Sequence, residues 1–219
     1  MNKKEIQKKR MMGYFIEATS KIIEEEGVEA VTIRKVADLA GYNSATLYNY
    51  FDNLNHLIFF SSMKFLKDYV IELSNYIKNS TNSIERYLSV WKCFCYHSFN
   101  NPKIYYIIFF DKYSDSINDA IKSYYSIFPE ELEILPQEIL PMLLERNLST
   151  RNMTLLEYCA QEGILDRKNL NEINEIVLLL YQGMLLRVLN NNINYDITQA
   201  IERTMKYINQ IIYSFQKNH

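Results

Sequence analysis

Apolar residues recur at intervals of three and four along most of this chain, and that spacing constrains its fold more than any other feature. It is the period of one face of an α-helix, whereas a half-buried strand would alternate at intervals of two. The 219 residues include only 5 Gly and 4 Pro, too few for the many turns of a large sheet. The sequence therefore predicts an all-α protein built from long helices.

Composition narrows the class of protein. The chain is 48% hydrophobic and 23% charged, which is typical of a globular domain. Its longest apolar stretch, Ile176 to Leu186, is much shorter than the roughly 20 residues that a membrane span needs. Three cysteines and no signal peptide argue against a disulfide framework. We therefore expect a soluble, cytoplasmic protein.

The first third of the chain has the pattern of three helices. The first is predicted from Lys4 to Glu26; Thr32 then has the position of an N-cap, and Gly41 supplies a tight turn. Asn43 or Ser44 would cap the third helix. Two short helices joined by a tight turn form a helix-turn-helix, whose second helix enters the major groove of DNA. The inward positions of this unit are Ile33, Val36, Ala37, Ala40, Leu47 and Phe51.

Behind this unit the apolar pattern lengthens. Residues 55–79 are predicted to form one long connecting helix, and further helices are expected at 83–99, 116–127, 137–147 and 152–161. We expect two domains, a helix-turn-helix head at residues 1–54 and a helical body at residues 55–219.

The last two predicted helices, at about 170–190 and 197–215, carry broad apolar stripes. Left exposed, such stripes would exceed the apolar area that a monomer usually tolerates, so a two-fold interface between copies is expected. The stripes consist of Ile173, Ile176, Val177, Leu180, Tyr181, Met184, Leu185 and Val188, followed by Met205, Ile208, Ile211 and Phe215.

Residues 32–51, which read TIRKVADLAGYNSATLYNYF and are followed by Leu57 and Ile58, resemble the TetR family of bacterial transcriptional regulators. The resemblance implies an N-terminal three-helix DNA-binding domain and a larger C-terminal helical domain for ligand binding and dimerisation. It also implies that the last two helices form the four-helix bundle of a homodimer, while the middle helices enclose a pocket for a small molecule.

Two positions depart from the family pattern. The family commonly has a lysine three residues after the phenylalanine, where it meets a phosphate, and this chain has Leu54 there. Asp52 stands where a neutral or basic residue is usual. Both changes weaken the electrostatic attraction for the DNA backbone. They are the reason for considering an alternative function in which DNA affinity is weak or lost.

The third helix, the recognition helix, has no Arg or Lys between Asn43 and Phe51. Guanine is most often contacted by Arg or Lys, whereas Asn pairs with adenine and small apolar groups contact the thymine methyl. We therefore predict an A·T-rich palindromic operator, with Asn49 or Asn43 contacting adenine. The predicted DNA-contacting residues are Thr32, Arg34, Lys35, Asn43, Ser44, Ala45, Thr46, Tyr48, Asn49 and Tyr50.

Phosphate contacts are expected from the N-terminus of the second helix and from a basic arm at residues 1–10. The arm carries five cations and one carboxylate, although the net charge of the whole chain is −2. Two of the side chains expected to contact DNA have alternative explanations that do not involve DNA. Tyr48 could be a packing residue, and Lys35 could be a solvated surface charge.

Aromatic residues crowd the middle of the chain, from Trp91 to Phe128. Plain core packing is the better explanation for any single ring, but the collective excess of rings with few charges nearby favours a pocket for an apolar or aromatic effector. The residues predicted to line the pocket are Trp91, Cys95, Phe109, Tyr113, Tyr158 and Tyr181.

No metal, cofactor or enzymatic activity is expected. Residues two apart on a helix face nearly opposite ways, so Cys93, Cys95 and His97 cannot share one ion. Cys93 and His97 alone would leave a zinc site two ligands short. The sequence has no phosphate-binding glycine loop, nucleophile elbow or zincin motif.

These features favour a homodimeric repressor that binds double-stranded DNA in its free state and that a small-molecule effector releases. The alternative is a dimeric regulator that binds small molecules or proteins and whose DNA affinity is weak or lost.

Overall fold

The computed structural model describes residues 3–114, 117–132, 142, 145 and 147–217, and within these ranges the chain is helical, as predicted. The described part contains no β-strand, only an isolated β-bridge between Leu165 and Gln216. None of the helices described is long and apolar enough to cross a membrane. The helices are α1 (Lys3–Glu26), α2 (Ile33–Ala40), α3 (Ser44–Leu47), α4 (Leu54–Ser62), α5 (Leu66–Ile77), α6 (Ser83–Asn100), α7 (Pro102–Phe110), α8 (Ile117–Ile127), α9 (Pro129–Leu132), α10 (Leu148–Gln161), α11 (Leu170–Leu189) and α12 (Ile197–Ser214).

The head is a three-helix unit built by α1, α2 and α3. Phe15, Val36, Leu47 and Phe51 are each at most 1% exposed and form its core. The turn between α2 and α3 is made by Gly41, whose φ of 78° lies in the left-handed region. A residue with a side chain is strained there, which explains the glycine.

The connecting segment is not one continuous helix, so the prediction for residues 55–79 is wrong in this respect. A short 3₁₀ segment, Met63–Phe65, separates α4 from α5. The hydroxyls of Ser61 and Ser62 each donate to the carbonyl four residues earlier, at 2.8 Å. Such hydrogen bonds compete with the helical ladder and bend helices, which accounts for the interruption directly after them.

The body packs around α6, which contacts α5, α10, α11 and α12. Helix α10 begins at Leu148 rather than at the predicted residue 152, because Asn147 and Thr150 form a capping box at its start. Of the helix predicted at 137–147, most lies outside the described residues.

Helix α11 buries most of its apolar stripe within the subunit, whereas α12 buries only Ile208 of the four residues in its stripe. Much of the apolar surface expected at an interface between copies is therefore covered by the subunit itself. Six of the eight stripe residues of α11 contribute to the core, and the buried members of both helices are Ile173, Val177, Tyr181, Met184, Leu185, Val188 and Ile208. Helices α6, α7, α10 and α12 cover that face of α11. The surface of α11 left outside is narrower, and it includes the two remaining stripe residues, Ile176 and Leu180.

Candidate DNA interface and sensor core

The recognition helix is held by a local cap. The side-chain oxygen of Asn43 accepts hydrogen bonds from the backbone N–H of Thr46 at 2.9 Å and from its hydroxyl at 3.0 Å. The regular helix spans only residues 44–47, and the chain continues in a turn in which the N–H groups of Tyr50 and Phe51 donate to the Leu47 carbonyl. Leu47 and Phe51 anchor this element in the head core.

The outer face of the recognition helix is polar and open to solvent. Ser44, Ala45, Tyr48 and Asn49 are exposed. An asparagine pairs with adenine through both its oxygen and its amide nitrogen. The oxygen of Asn43 is already used by the cap, so between the two predicted adenine readers the geometry favours Asn49.

The two tyrosines of this element have different surroundings. Tyr48 is 53% exposed, which argues against the alternative that it is mainly a packing residue. Tyr50 is half-buried, and its ring centroid lies 6.2 Å from that of Phe15. Tyr48 is therefore the freer of the two to contact DNA.

One group of the predicted phosphate contacts lies at the start of α2, and the described part of the basic arm forms the first turns of α1. Thr32 caps α2 by accepting a hydrogen bond from the N–H of Lys35 at 3.2 Å. Each cation in this region has an acidic neighbour: Lys35 lies 2.6 Å from Glu26, and the highly exposed Arg34 lies 3.8 Å from Asp38. Phosphate would have to compete with these carboxylates.

The two departures from the family pattern lie at the start of α4. Leu54 is half-buried and packs against the core, while the side chain of Asp52 is 78% exposed. The Nδ1 atom of His56 accepts a hydrogen bond from the Asp52 N–H at 3.2 Å and lies 3.3 Å from its carboxylate. Burial lowers the pKa of His56, with Asp52 opposing that shift. This region therefore presents an exposed carboxylate at Asp52 and an apolar side chain at Leu54, where the family commonly has a lysine that meets phosphate.

Tyr113 lies where the head and body meet, and not in the aromatic interior of the body. Its hydroxyl accepts a hydrogen bond from the Nδ2 atom of Asn53 at 2.8 Å, and its ring stacks on His56 with centroids 5.1 Å apart. Asn53 also caps α4, because its oxygen accepts from the His56 N–H at 3.0 Å. One asparagine thus joins the start of the connecting segment to the end of α7.

Three of the predicted pocket residues surround the Phe94 ring and with it form what we call the aromatic cluster: Trp91, Phe94, Phe109 and Tyr181. The ring centroids of Phe109 and Tyr181 lie 5.3 and 5.1 Å from that of Phe94. Cys95, on the same helix as Trp91, is fully buried. Tyr158, by contrast, is 40% exposed and lies at the surface.

A crevice of about 20 Å³ reaches the aromatic cluster between α5, α6 and α10. Its lining residues are Tyr69, Val90, Trp91, Phe94, Met142, Leu148, Arg151, Asn152 and Leu155. A space of this size holds about one water molecule. A larger cleft of about 650 Å³ separates head from body, and the ion pairs Lys64–Glu24 at 3.3 Å and Lys103–Glu29 at 3.1 Å link its two sides.

Sequence reasoning missed Arg151, which is only 4% exposed. The signal was available: Leu148, Arg151, Asn152 and Leu155 follow the spacing of one helix face. The predicted helix began at residue 152, so Arg151 was assigned to a loop, where a charged side chain is expected to be exposed to solvent.

Among the described residues, no three or more His, Cys, Asp and Glu side chains are grouped as a metal site would require. His97 instead lies 3.0 Å from the carboxylate of Glu72. Burial raises the pKa of the Cys93 thiol to about 12 and that of Cys159 to about 11. Both remain thiols near neutral pH, so they are poor nucleophiles and metal ligands as they stand.

Comparisons with known proteins agree with this geometry. Residues 15–59 match the model of the bacterial regulatory proteins of the tetR family. Among curated proteins, none matches the chain in sequence. Solved structures with a similar fold are numerous, and many of them are transcription regulators of the same family.

A putative TetR-family regulator from Syntrophomonas wolfei is similar over 94% of this chain and 96% of its own, with 16% identity and a TM-score of 0.59. A TetR regulator from Haloarcula marismortui is similar over 95% and 99%, with 14% identity and a TM-score of 0.58. The fatty acid degradation regulator FadR from Bacillus halodurans is similar over 90% and 93%, with 14% identity and a TM-score of 0.52. The resemblance found in the sequence is confirmed: the chain has the fold of TetR-family transcription regulators, and its residues 15–59 carry the DNA-binding helix-turn-helix of that family.

Proposed function

We propose that the protein is a homodimeric repressor that binds an A·T-rich palindromic operator and is released from it by a small apolar or aromatic molecule. The observation that carries the proposal is the outer face of the recognition helix, where Ser44, Ala45, Tyr48 and Asn49 are exposed on a capped and anchored element. These side chains suit adenine and thymine better than guanine.

The proposed dimer contact is the narrow stripe that α11 leaves exposed. It consists of Ile176, Leu179, Leu180, Gly183 and Leu186, and Leu179 is 63% exposed. A Cβ built at Gly183 would meet no atom within 4 Å. The glycine is therefore not required by packing inside the subunit, but it lets a second helix approach closely. A two-fold axis through this stripe would place two heads on successive major grooves.

The proposed effector site is the aromatic cluster with Cys95 and the crevice beside it. Helix α7 contacts both α11 and α4, and it carries Phe109 near its end. The hydrogen bond between Tyr113 and Asn53 then connects the end of α7 to the start of α4, directly behind the recognition helix. A ligand that displaced α7 would move the head through this contact. In this proposal Tyr113 acts in transmission, and the exposed Tyr158 lies outside the effector site.

The experiment is selection of bound sites from random DNA, followed by fluorescence anisotropy of the selected duplex beside a scrambled one of equal composition. The selected sites are expected to be A·T-rich and palindromic. Asn49→Ala should abolish the preference for them, whereas Asn171→Ala, an exposed asparagine on α11, should leave it intact. Equal binding of both duplexes by the wild type would contradict the proposal.

A second candidate is a dimeric regulator with weak or lost DNA affinity. It is favoured by the half-buried Leu54 and by the 2.6 Å pair that Lys35 forms with Glu26. Leu54→Lys distinguishes the two candidates. It should raise operator affinity strongly if the head is impaired. If the head already functions, it should change operator affinity little.

A further inference from the structure

Arg151 is a permanently charged side chain in the interior of the body. It lies on α10, only 4% exposed, and its guanidinium carbon is 5.3 Å from the centre of the Phe109 ring. Burial lowers the pKa of Arg151 to about 10, opposed by the phenol groups around it and by Glu145. The group therefore remains a cation near neutral pH.

A buried cation of this kind is costly, since the effective penalty for removing an ion from water is several kcal/mol. A guanidinium carries five N–H donors in a planar fork, and one carboxylate accepts at most two of them in a bidentate pair. Even with an acidic neighbour such as Glu145, Arg151 has the donor capacity to bind a further anion.

The other polar groups of the crevice are already engaged with one another. The indole N–H of Trp91 donates to the Asn152 oxygen at 2.9 Å, the Asn152 amide donates to Asn174 at 2.8 Å, and Asn174 donates to Ser149 at 2.9 Å. This chain fixes the wall of the crevice. Among the residues that line the crevice, Arg151 is the charged one.

The rest of the lining is apolar and aromatic. Val90, Phe94, Leu148 and Leu155 line the crevice together with Arg151. The fully buried hydroxyl of Tyr105, on α7, has no hydrogen-bond partner among the described residues. A site with one cation, a spare phenol and hydrophobic walls is complementary to an apolar molecule with a single negative end.

We propose that the effector is a small organic carboxylate whose charged end binds Arg151 and whose apolar part enters the aromatic cluster. This inference rests on the proposed function, and it specifies the chemistry of the effector. The crevice of about 20 Å³ is too small for such a molecule. Binding therefore selects a more open arrangement of α7 and α10, and the ligand stabilises that state by its greater affinity for it.

The test uses Trp91, because it is the only tryptophan in the sequence and lines the crevice. Its fluorescence is titrated with octanoate and benzoate, and in parallel with the neutral amides octanamide and benzamide. At least one carboxylate is expected to give a saturable change and to bind at least about tenfold more tightly than its amide.

Arg151→Met keeps an unbranched apolar stem but removes the guanidinium and its charge. It is expected to weaken carboxylate binding at least about tenfold without affecting amide binding. Arg167→Met, which removes an exposed arginine 69% accessible at its side chain, should have no effect. If Arg151→Met fails to fold, Arg151→Lys, which keeps the charge but loses the fork, should give an intermediate affinity.

Equal binding of acids and amides, unchanged carboxylate affinity in Arg151→Met, or no saturable response to either acid up to its solubility limit would overturn the inference. The titration contains no DNA, so its outcome does not depend on whether the protein is a repressor. A negative titration would leave sequence-specific DNA binding standing.

Discussion

The recognition helix and the aromatic cluster hold their side chains in opposite ways. The recognition helix is short and exposed, and a hydrogen bond between residues three apart in sequence, Asn43 and Thr46, fixes its start. The aromatic cluster is assembled from α6, α7 and α11, with Phe94 and Tyr181 nearly 90 residues apart in sequence and their ring centroids 5.1 Å apart. The exposed side chains of the recognition helix are thus positioned by local capping, whereas the buried rings of the aromatic cluster are positioned by packing between helices that are distant in sequence.

This difference teaches where a substitution acts. A change on the outer face of the recognition helix should alter what is bound without altering folding. A change in the aromatic cluster should alter folding first, since its rings support one another and the helices that carry them.

The largest effect is expected from Phe94→Ala. Phe94 is 4% exposed and packs against five other rings. Loss of a buried phenylalanine costs about 3–5 kcal/mol of the free energy of unfolding. Urea denaturation followed by circular dichroism measures it. Tyr96→Ala, two residues along and 46% exposed, should cost less than about 0.5 kcal/mol, and equal losses in both variants would contradict the comparison.

The next effect is expected from Leu179→Arg, which puts a charge into the exposed stripe of α11. We expect the dimer to weaken by about 2 kcal/mol or more, the scale of an interface hot spot, with no change in the fold. Sedimentation equilibrium measures it. Ile71→Arg, at an apolar residue 40% exposed on α5, is the control. A dimer unaffected by Leu179→Arg would mean that the stripe is not the interface.

A smaller effect is expected from Asn43→Ala, which removes the cap of the recognition helix. Such a loss costs about 1 kcal/mol, and it should be confined to the head. Amide hydrogen exchange at Leu47 to Phe51 should accelerate while exchange in α6 stays unchanged. Asn49→Ala, at an exposed asparagine on the same element, should leave exchange as it is, so that equal acceleration in both would refute the role of the cap.

The smallest effect is expected from pH. Burial lowers the pKa of His56 in the folded state, so protonation favours the unfolded state, and its contribution to stability is present above pH 6.5 and lost as the pH falls towards the lowered value. Thermal melts should therefore show a small decrease in Tm between pH 7.5 and pH 5.5. His56→Gln should flatten that part of the profile, and an unchanged profile in this variant would exclude His56 as its origin.

Sequence reasoning could predict the parts of this molecule that depend on local patterns. The caps at Thr32 and Asn43, the left-handed Gly41 and the helix-turn-helix itself follow from neighbours within four residues. The surroundings of Tyr113 could not be predicted, because its hydrogen bond to Asn53 spans 60 positions. Nor could the inward burial of the α11 stripe, since periodicity shows that one face is apolar but not what covers it.

The interruption at Met63–Phe65 has a mechanical consequence for control of the head. A continuous helix over residues 55–79 would transmit a movement of its first turn into the centre of the body. Because the helix is interrupted after nine residues, the two halves pack separately: α4 contacts α1 and α7, and α5 contacts α6. Under the proposed function, a displacement of Tyr113 would then move α4 and the head without requiring a movement of α5 or of the proposed interface between subunits.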